Sequence, residues 1–226
     1  MAEEFQVATR QGLARAIGAP PAGAGKAGAV VLLHEYWGLN AHIASLVDRF
    51  AEAGFIAIAP DLFKGQVATK PEEGAALAKA LSWDEALEVI DGAVSQAKAD
   101  PRSNGKVAVL GFCLGGAGAF VCAARLAGIS AAVAFYGVAP ATAVDWSVAD
   151  PPPIQGHFAS RDHWATPDKA RDVLQTLALR GHAMELHVYD AGHAFMNDTR
   201  PDAYDQEAAV LAWQRATEFL HKHLDG

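Results

Sequence analysis

Cys113 stands in the run Gly111-Phe112-Cys113-Leu114-Gly115-Gly116, directly after the apolar stretch 106–111. A nucleophile residue with glycine two positions before and two after it is the nucleophile-elbow pattern, here with cysteine in the nucleophile's place. The glycines have a steric reason. The elbow is a strained strand-to-helix turn, and side chains at those two positions would strike neighbouring backbone. A thiol placed there lies at a helix N-terminus, where the dipole favours the thiolate. An isolated cysteine is more often a buried packing residue. Cys122 fits that description, in mid-helix among Val121, Ala123 and Ala124.

Two further residues complete a constellation. Asp162 follows the apolar stretch 154–158, in Ser160-Arg161-Asp162-His163. His193 follows the stretch 184–189, in Asp190-Ala191-Gly192-His193-Ala194-Phe195. A lone Asp in a loop is usually a turn or cap residue. Nucleophile, acid and histidine at successive strand ends, in that order, make a specific signal. His193 would take the thiol proton and later activate water, while Asp162 would hold the imidazole tautomer. The segment His34-Glu35-Tyr36-Trp37-Gly38-Leu39-Asn40 follows the first apolar core stretch. It nominates the backbone N–H of Tyr36, with that of Leu114, as an oxyanion hole. Glu35 reads either as a solvated loop acid or as a hydrogen-bond partner of the thiol.

Other chemistries fit poorly. His34-Glu35 is not the start of a zinc helix, because Gly38 stands where the second histidine belongs. Gly25-Lys26 is not a phosphate loop, because position 20 is Pro20 and Ala27 is neither Ser nor Thr. The remaining histidines lack ligand spacing, and His221 and His223 fall at a solvated helix end. No metal and no cofactor are expected.

The elements that must position these residues alternate. Strands are expected at 29–34, 55–59, 106–111, 131–136, 154–158 and 184–189, the first as a continuous apolar run of the kind a buried parallel strand needs. Helices are expected at 41–53, 71–81, 84–99, 114–127, 166–179 and 203–223, with Thr166 as an N-cap and Pro167 at the first helical position. Residues 5–17 suggest one or two short edge strands, and 20–28 a flexible turn. This order predicts an α/β fold, a mostly parallel central sheet with helices on both faces. The 226 residues suit a single domain over 1–226. The net charge of −8, without a Lys/Arg cluster, argues against nucleic-acid and anionic-membrane partners. Acidic Glu3 and Glu4 instead of a basic leader, short apolar runs and only two cysteines point to a cytoplasmic protein.

Together these residues resemble the dienelactone hydrolases (carboxymethylenebutenolidases), a family of the α/β-hydrolase superfamily. The matching pieces are the 34–40 segment, Pro60-Asp61-Leu62, 103–107, the Cys113 elbow, Tyr136-Gly137, Arg161-Asp162-His163 and 191–195. The resemblance implies an α/β-hydrolase fold and a Cys113, Asp162, His193 triad. It implies that Glu35 helps activate the cysteine, and that an enol lactone is hydrolysed without a cofactor. It also implies a monomer or small homo-oligomer acting on a small-molecule ester or lactone. The sequence departs from the family at two substrate-binding arginines. Asn197 stands four residues after His193, and residues 65–90 contain no arginine. Trp37, Phe195, Asn197, Arg200 and Arg161 are the residues then expected to meet substrate. The leading reading is an ester or enol-lactone hydrolase with an acyl-cysteine intermediate, which prefers aryl esters or uncharged enol lactones and spares peptides. The alternatives are a thioesterase on the same triad, a thiol-redox protein and a catalytically silent binding domain.

Overall fold

In the computed structural model, which describes every residue except 140–142, 145–150, 180, 183 and 226, the apolar runs do become strands. The order is β1 (Glu3–Thr9), β2 (Gly12–Ala19), β3 (Ala27–Leu33), α1 (Ala41–Glu52), β4 (Ile56–Pro60), α2 (Pro71–Ala80), α3 (Trp83–Ala99), β5 (Ser103–Phe112), α4 (Leu114–Arg125), β6 (Ala131–Phe135), β7 (Ile154–Ala159), α5 (Pro167–Leu179), β8 (Met184–Tyr189) and α6 (Gln206–Leu224). The strands form one sheet in the order β1-β2-β4-β3-β5-β6-β7-β8. From β4 to β8 every pairing is parallel. β1 and β2 form an antiparallel hairpin that adds to the β4 edge.

The two-residue side-chain period of a strand divides the core. Val31 and Leu33 of β3 face α3, α4 and α5, with Ile90, Phe120 and Leu174. Val30 and Leu32 face α1 and α6, with Phe50, Leu46 and Leu220. The mostly parallel sheet covered on both faces is thus present as expected. All six parallel strands, β3 to β8, end on one rim, and in such sheets the crevice outside the carboxyl ends of the strands is where ligands bind.

Several boundaries differ from the sequence reading, for local reasons. β5 begins three residues early, because Ser103 pairs with Ala27. α6 begins at Gln206 and not 203, because the Asp205 side chain accepts the Ala208 N–H and fixes the cap. The hairpin is longer than the 5–17 stretch suggested, since few of its residues are buried and β2 shows no clean in-out alternation. Thr166 does cap α5, accepting from Lys169 N at 3.3 Å. Among the described residues no helix is long and apolar enough to cross a membrane.

Candidate active site

The turn between β5 and α4 has no room for a side chain on either flanking glycine. A Cβ on Gly111 would stand 2.0 Å from the Gly115 carbonyl oxygen, and one on Gly115 would stand 2.1 Å from that of Leu33. Between them Cys113 is held at φ 54° and ψ −111°, a strained backbone for a residue with a Cβ. Its N–H donates to Phe135 O at 3.0 Å, and its carbonyl accepts from Ala117 N at 3.1 Å. The strain is therefore fixed by the adjoining strand and helix, and the thiol projects from the rim.

Two more strand ends converge on that thiol. The His193 Nε2 lies 3.1 Å from Cys113 Sγ, and its Nδ1 lies 2.6 Å from Asp162 Oδ2. Asp162 Oδ1 accepts from the backbone N–H of Trp164 at 2.8 Å and of Ala165 at 3.1 Å. Burial opposes the charge of Asp162, but the hydrogen bond and charge of His193 and the two backbone donors outweigh it and hold the carboxyl below its usual value. Burial also opposes the charge of His193; its bonds to Asp162 and Cys113 prevail and push the imidazolium up to about 10. The set can hold one proton between sulfur and ring while the acid behind stays ionised.

Glu35, just past β3, has a different setting. It is 2 % exposed, which removes the solvated-loop reading. Its Oε2 accepts from Asn197 Nδ2 at 2.7 Å. Asn197 is itself fixed, its Oδ1 accepting from Thr199 N at 3.2 Å and Thr199 Oγ1 at 2.6 Å. Glu35 Oε1 and the hydroxyl of buried Tyr136 lie close enough to influence each other but fall outside hydrogen-bond geometry, and neither has another side-chain partner among the described residues. Burial raises the Glu35 carboxyl above its usual value, against the pull of Asn197, His193, Arg200 and the Tyr136 hydroxyl. The thiol bonds to His193, not to Glu35, in this conformation. The preceding His34 accepts from Leu62 N through Nε2 at 3.1 Å, so its Nδ1–H faces Glu35 O at 2.7 Å. That pins the loop from both ends.

The remaining expected residues divide. Tyr36 lies within electrostatic reach of Cys113, and Leu114 is the first residue of α4. Neither backbone N–H has a hydrogen-bond partner among the described residues. Trp37 packs its ring on Tyr36 at 4.5 Å and beneath the Arg200 guanidinium at 5.5 Å. Arg200 also pairs with Asp202 at 2.9 Å. Phe195 and Asn197 do not present side-chain surface to a ligand. Phe195 is wholly buried, edge-on to Tyr136 at 5.2 Å, and Asn197 is a buried partner of Glu35. Arg161 is spent on the surface, paired with Asp190. Cys122 is wholly buried, and burial drives its thiol well above the ordinary value.

Two side chains beside His193 had no assigned role in the sequence reading. Tyr136 sits at φ 36° immediately after β6, its ring 5.3 Å from that of His193. Trp164 lies two residues after Asp162, its ring 5.4 Å from His193. Applying the strand-end rule to β6, and asking why an indole follows the acid so closely, would have found both.

Comparison with known proteins identifies the family and the fold. The model of the dienelactone hydrolase family matches residues 14–224. Carboxymethylenebutenolidase 1 of Cupriavidus pinatubonensis is 34% identical over 201 residues, 84% of each chain. Carboxymethylenebutenolidase of Pseudomonas putida is 31% identical over 201 residues, again 84% of each. Among solved structures, the dienelactone hydrolase-like promiscuous phosphotriesterase P91 from metagenomic libraries superposes with a TM-score of 0.82 over 99% of both chains at 21% identity, a likeness of fold.

Proposed function

The chain belongs to the dienelactone hydrolase family, and on that premise we propose that it hydrolyses carboxylic esters or enol lactones through an acyl-cysteine on Cys113, with His193 and Asp162 as its partners. One observation carries the reading. Thiol, imidazole and buried carboxylate form a continuous hydrogen-bonded line of 3.1 and 2.6 Å across three strand ends. The family match over nearly the whole chain supports taking residues 1–226 as one domain.

The steps follow from that line. His193 accepts the thiol proton, and the sulfur adds to the substrate carbonyl carbon, forming a C–S bond. The carbonyl electron pair moves onto oxygen, where the N–H groups of Tyr36 and Leu114 receive it. The adduct collapses, the C–O bond to the leaving group breaks, and His193 returns its proton to the departing oxygen. Water then donates a proton to His193 and adds to the thioester carbon. The C–S bond breaks, the acid is released, and sulfur and imidazole recover the shared proton. Asp162 holds the tautomer and stabilises the imidazolium throughout. Glu35 acts beside the thiol as a positioning acid held by Asn197. No cofactor enters any step.

Sulfur is both a good nucleophile and a good leaving group, so the adduct reverts unless the other group departs easily. Enolates and phenolates do; amines do not. The substrate is therefore an enol lactone or an ester with a stabilised leaving group, and peptides are spared. Mass spectrometry after rapid acid quench of an aryl ester reaction should show one acyl group on Cys113. Cys113→Ala should lose both the adduct and turnover while staying folded, and alkylation should label Cys113 and spare Cys122. Full activity in Cys113→Ala would overturn the assignment.

A further inference from the structure

We propose that Trp164 is a specificity-determining residue, an indole face on which the planar, conjugated leaving group of the substrate stacks beside His193. The inference rests on the hydrolase reading above and names the part of the substrate that this site selects. Trp164 is 74% exposed. A large ring left in water needs a reason, because its burial is normally favourable. Its backbone is not free to turn it inward. The N–H is held by Asp162 Oδ1 at 2.8 Å and the carbonyl by Lys169 Nζ at 2.9 Å. The ring meets His193 edge to face, at 5.4 Å and 74°. The imidazole is thus bordered by two aromatic rings, that of Tyr136 in the core and that of Trp164 in solvent.

Position and chemistry then coincide. His193 delivers its proton to the leaving oxygen, so the atoms nearest the imidazole after addition belong to the leaving group. A thiol nucleophile demands a leaving group that carries negative charge well, and phenolates and enolates do so by conjugation, which makes them flat. A flat π system beside His193 has the exposed indole face available for offset stacking. Aliphatic leaving groups gain little there.

The test uses acetate esters with the acyl part constant: a series of aryl acetates and trifluoroethyl acetate, whose leaving group is activated but not planar. Trp164→Ala should lower kcat/KM for the aryl esters by roughly three- to tenfold, the range expected of one aromatic pair. The loss should fall mainly on KM. Trifluoroethyl acetate should change by less than about twofold, by the same reasoning that it cannot stack. Trp164→Phe should recover most of the aryl advantage. Independently of turnover, phenol should quench tryptophan fluorescence in folded Cys113→Ala, and the added Trp164→Ala change should remove that quenching. Equal losses on both ester classes would make the indole a support for His193 alone and overturn the proposal, as would no loss at all. Turnover persisting in Cys113→Ala would sink the hydrolase reading instead, so the two failures are distinguishable.

Discussion

Asp162 and Glu35 are both carboxylates at the rim of the sheet, exposed by 3 % and 2 %, yet their surroundings push them in opposite directions. Asp162 receives three hydrogen bonds, from His193 and from the Trp164 and Ala165 amides, and is held below its usual value. Glu35 receives one well-formed hydrogen bond, from Asn197, with only a weaker approach of the Tyr136 hydroxyl, and is raised. Glu35 sits deeper, and its stronger desolvation raises it with few donors to oppose, whereas the donors around Asp162 outweigh a smaller desolvation. Asp162 is built to stay charged. Glu35 is built so that its charge costs something and can change with its neighbours. That contrast separates a fixed support from an adjustable one.

The largest expected effect comes from removing the fixed acid. Asp162→Ala should lower kcat on the order of 10⁴-fold. Combining it with Cys113→Ala should add little, because residues acting as one unit are not additive. Multiplying effects would dissolve the constellation into separate residues. The same variant has a signature in stability. His193 is raised from 6.5 to about 10, so its contribution is complete below 6.5 and is lost as pH rises through about 10. Asp162 is lowered from 3.8, so its contribution is present above 3.8 and is lost as pH falls through the lower folded value. The Tm deficit of Asp162→Ala should therefore be full between pH 3.8 and 6.5 and shrink towards pH 10.

The adjustable acid should behave the other way. Glu35→Gln keeps an oxygen for Asn197 and places an uncharged amide beside the Tyr136 hydroxyl, where the carboxylate makes no well-formed hydrogen bond. It should raise stability by about 1 kcal/mol at neutral pH, the scale of relieving one unpaired buried group. Because the carboxyl is raised above 4.5, its cost is absent well below that pH, grows as pH rises above 4.5 and levels off beyond the folded value. The gain in Tm should follow the same course. Activity should move against stability, with kcat/KM falling roughly ten- to a hundredfold if the charge serves the reaction. Removing a nearby negative charge should also quicken alkylation of Cys113 at neutral pH. An unchanged rate and alkylation profile would leave Glu35 as a structural acid only.

How much of this was legible in the sequence follows the same division. Cys113, Asp162 and His193 stand out because each lies directly after an apolar run, and the parallel order of those runs forces them onto one rim. The elbow glycines were legible for the same reason, and the distances at Gly111 and Gly115 give the clash that their spacing implies. Burial of Glu35 was not legible. It depends on Asn197, 162 positions away, entering the same pocket. Phe195 looked like a ligand residue because it neighbours His193, but the turn at Ala194, φ 64°, sends it into the core. The hairpin was indistinct because few of its residues are buried.

The smallest expected effect concerns charge on the substrate. The sequence lacks arginine at 197 and over 65–90, and losing a charge-assisted pair should cost a carboxylated lactone about 1.5–3 kcal/mol, roughly a ten- to hundredfold drop in kcat/KM. The structure adds one cation to that estimate. Arg200 lies close enough to Glu35 and Tyr36 to influence both, with its guanidinium over Trp37. It is already paired with exposed Asp202, and a partner of that kind in solvent is worth little, so the arginine can be drawn away at small cost. A substrate carboxylate would exchange one exposed pairing for another, and the net gain should be modest. Neutral lactones should therefore still be preferred over their carboxylated counterparts. Arg200→Ala should widen the gap by only about two- to fivefold, the scale of one exposed ion pair, and should leave neutral lactones unchanged. Steady-state kcat/KM on matched charged and neutral lactones decides it. A wild-type preference for the charged lactone, abolished by Arg200→Ala, would show that Arg200 has taken the place of the missing arginines. The adjustable side of the site would then answer to substrate charge as well.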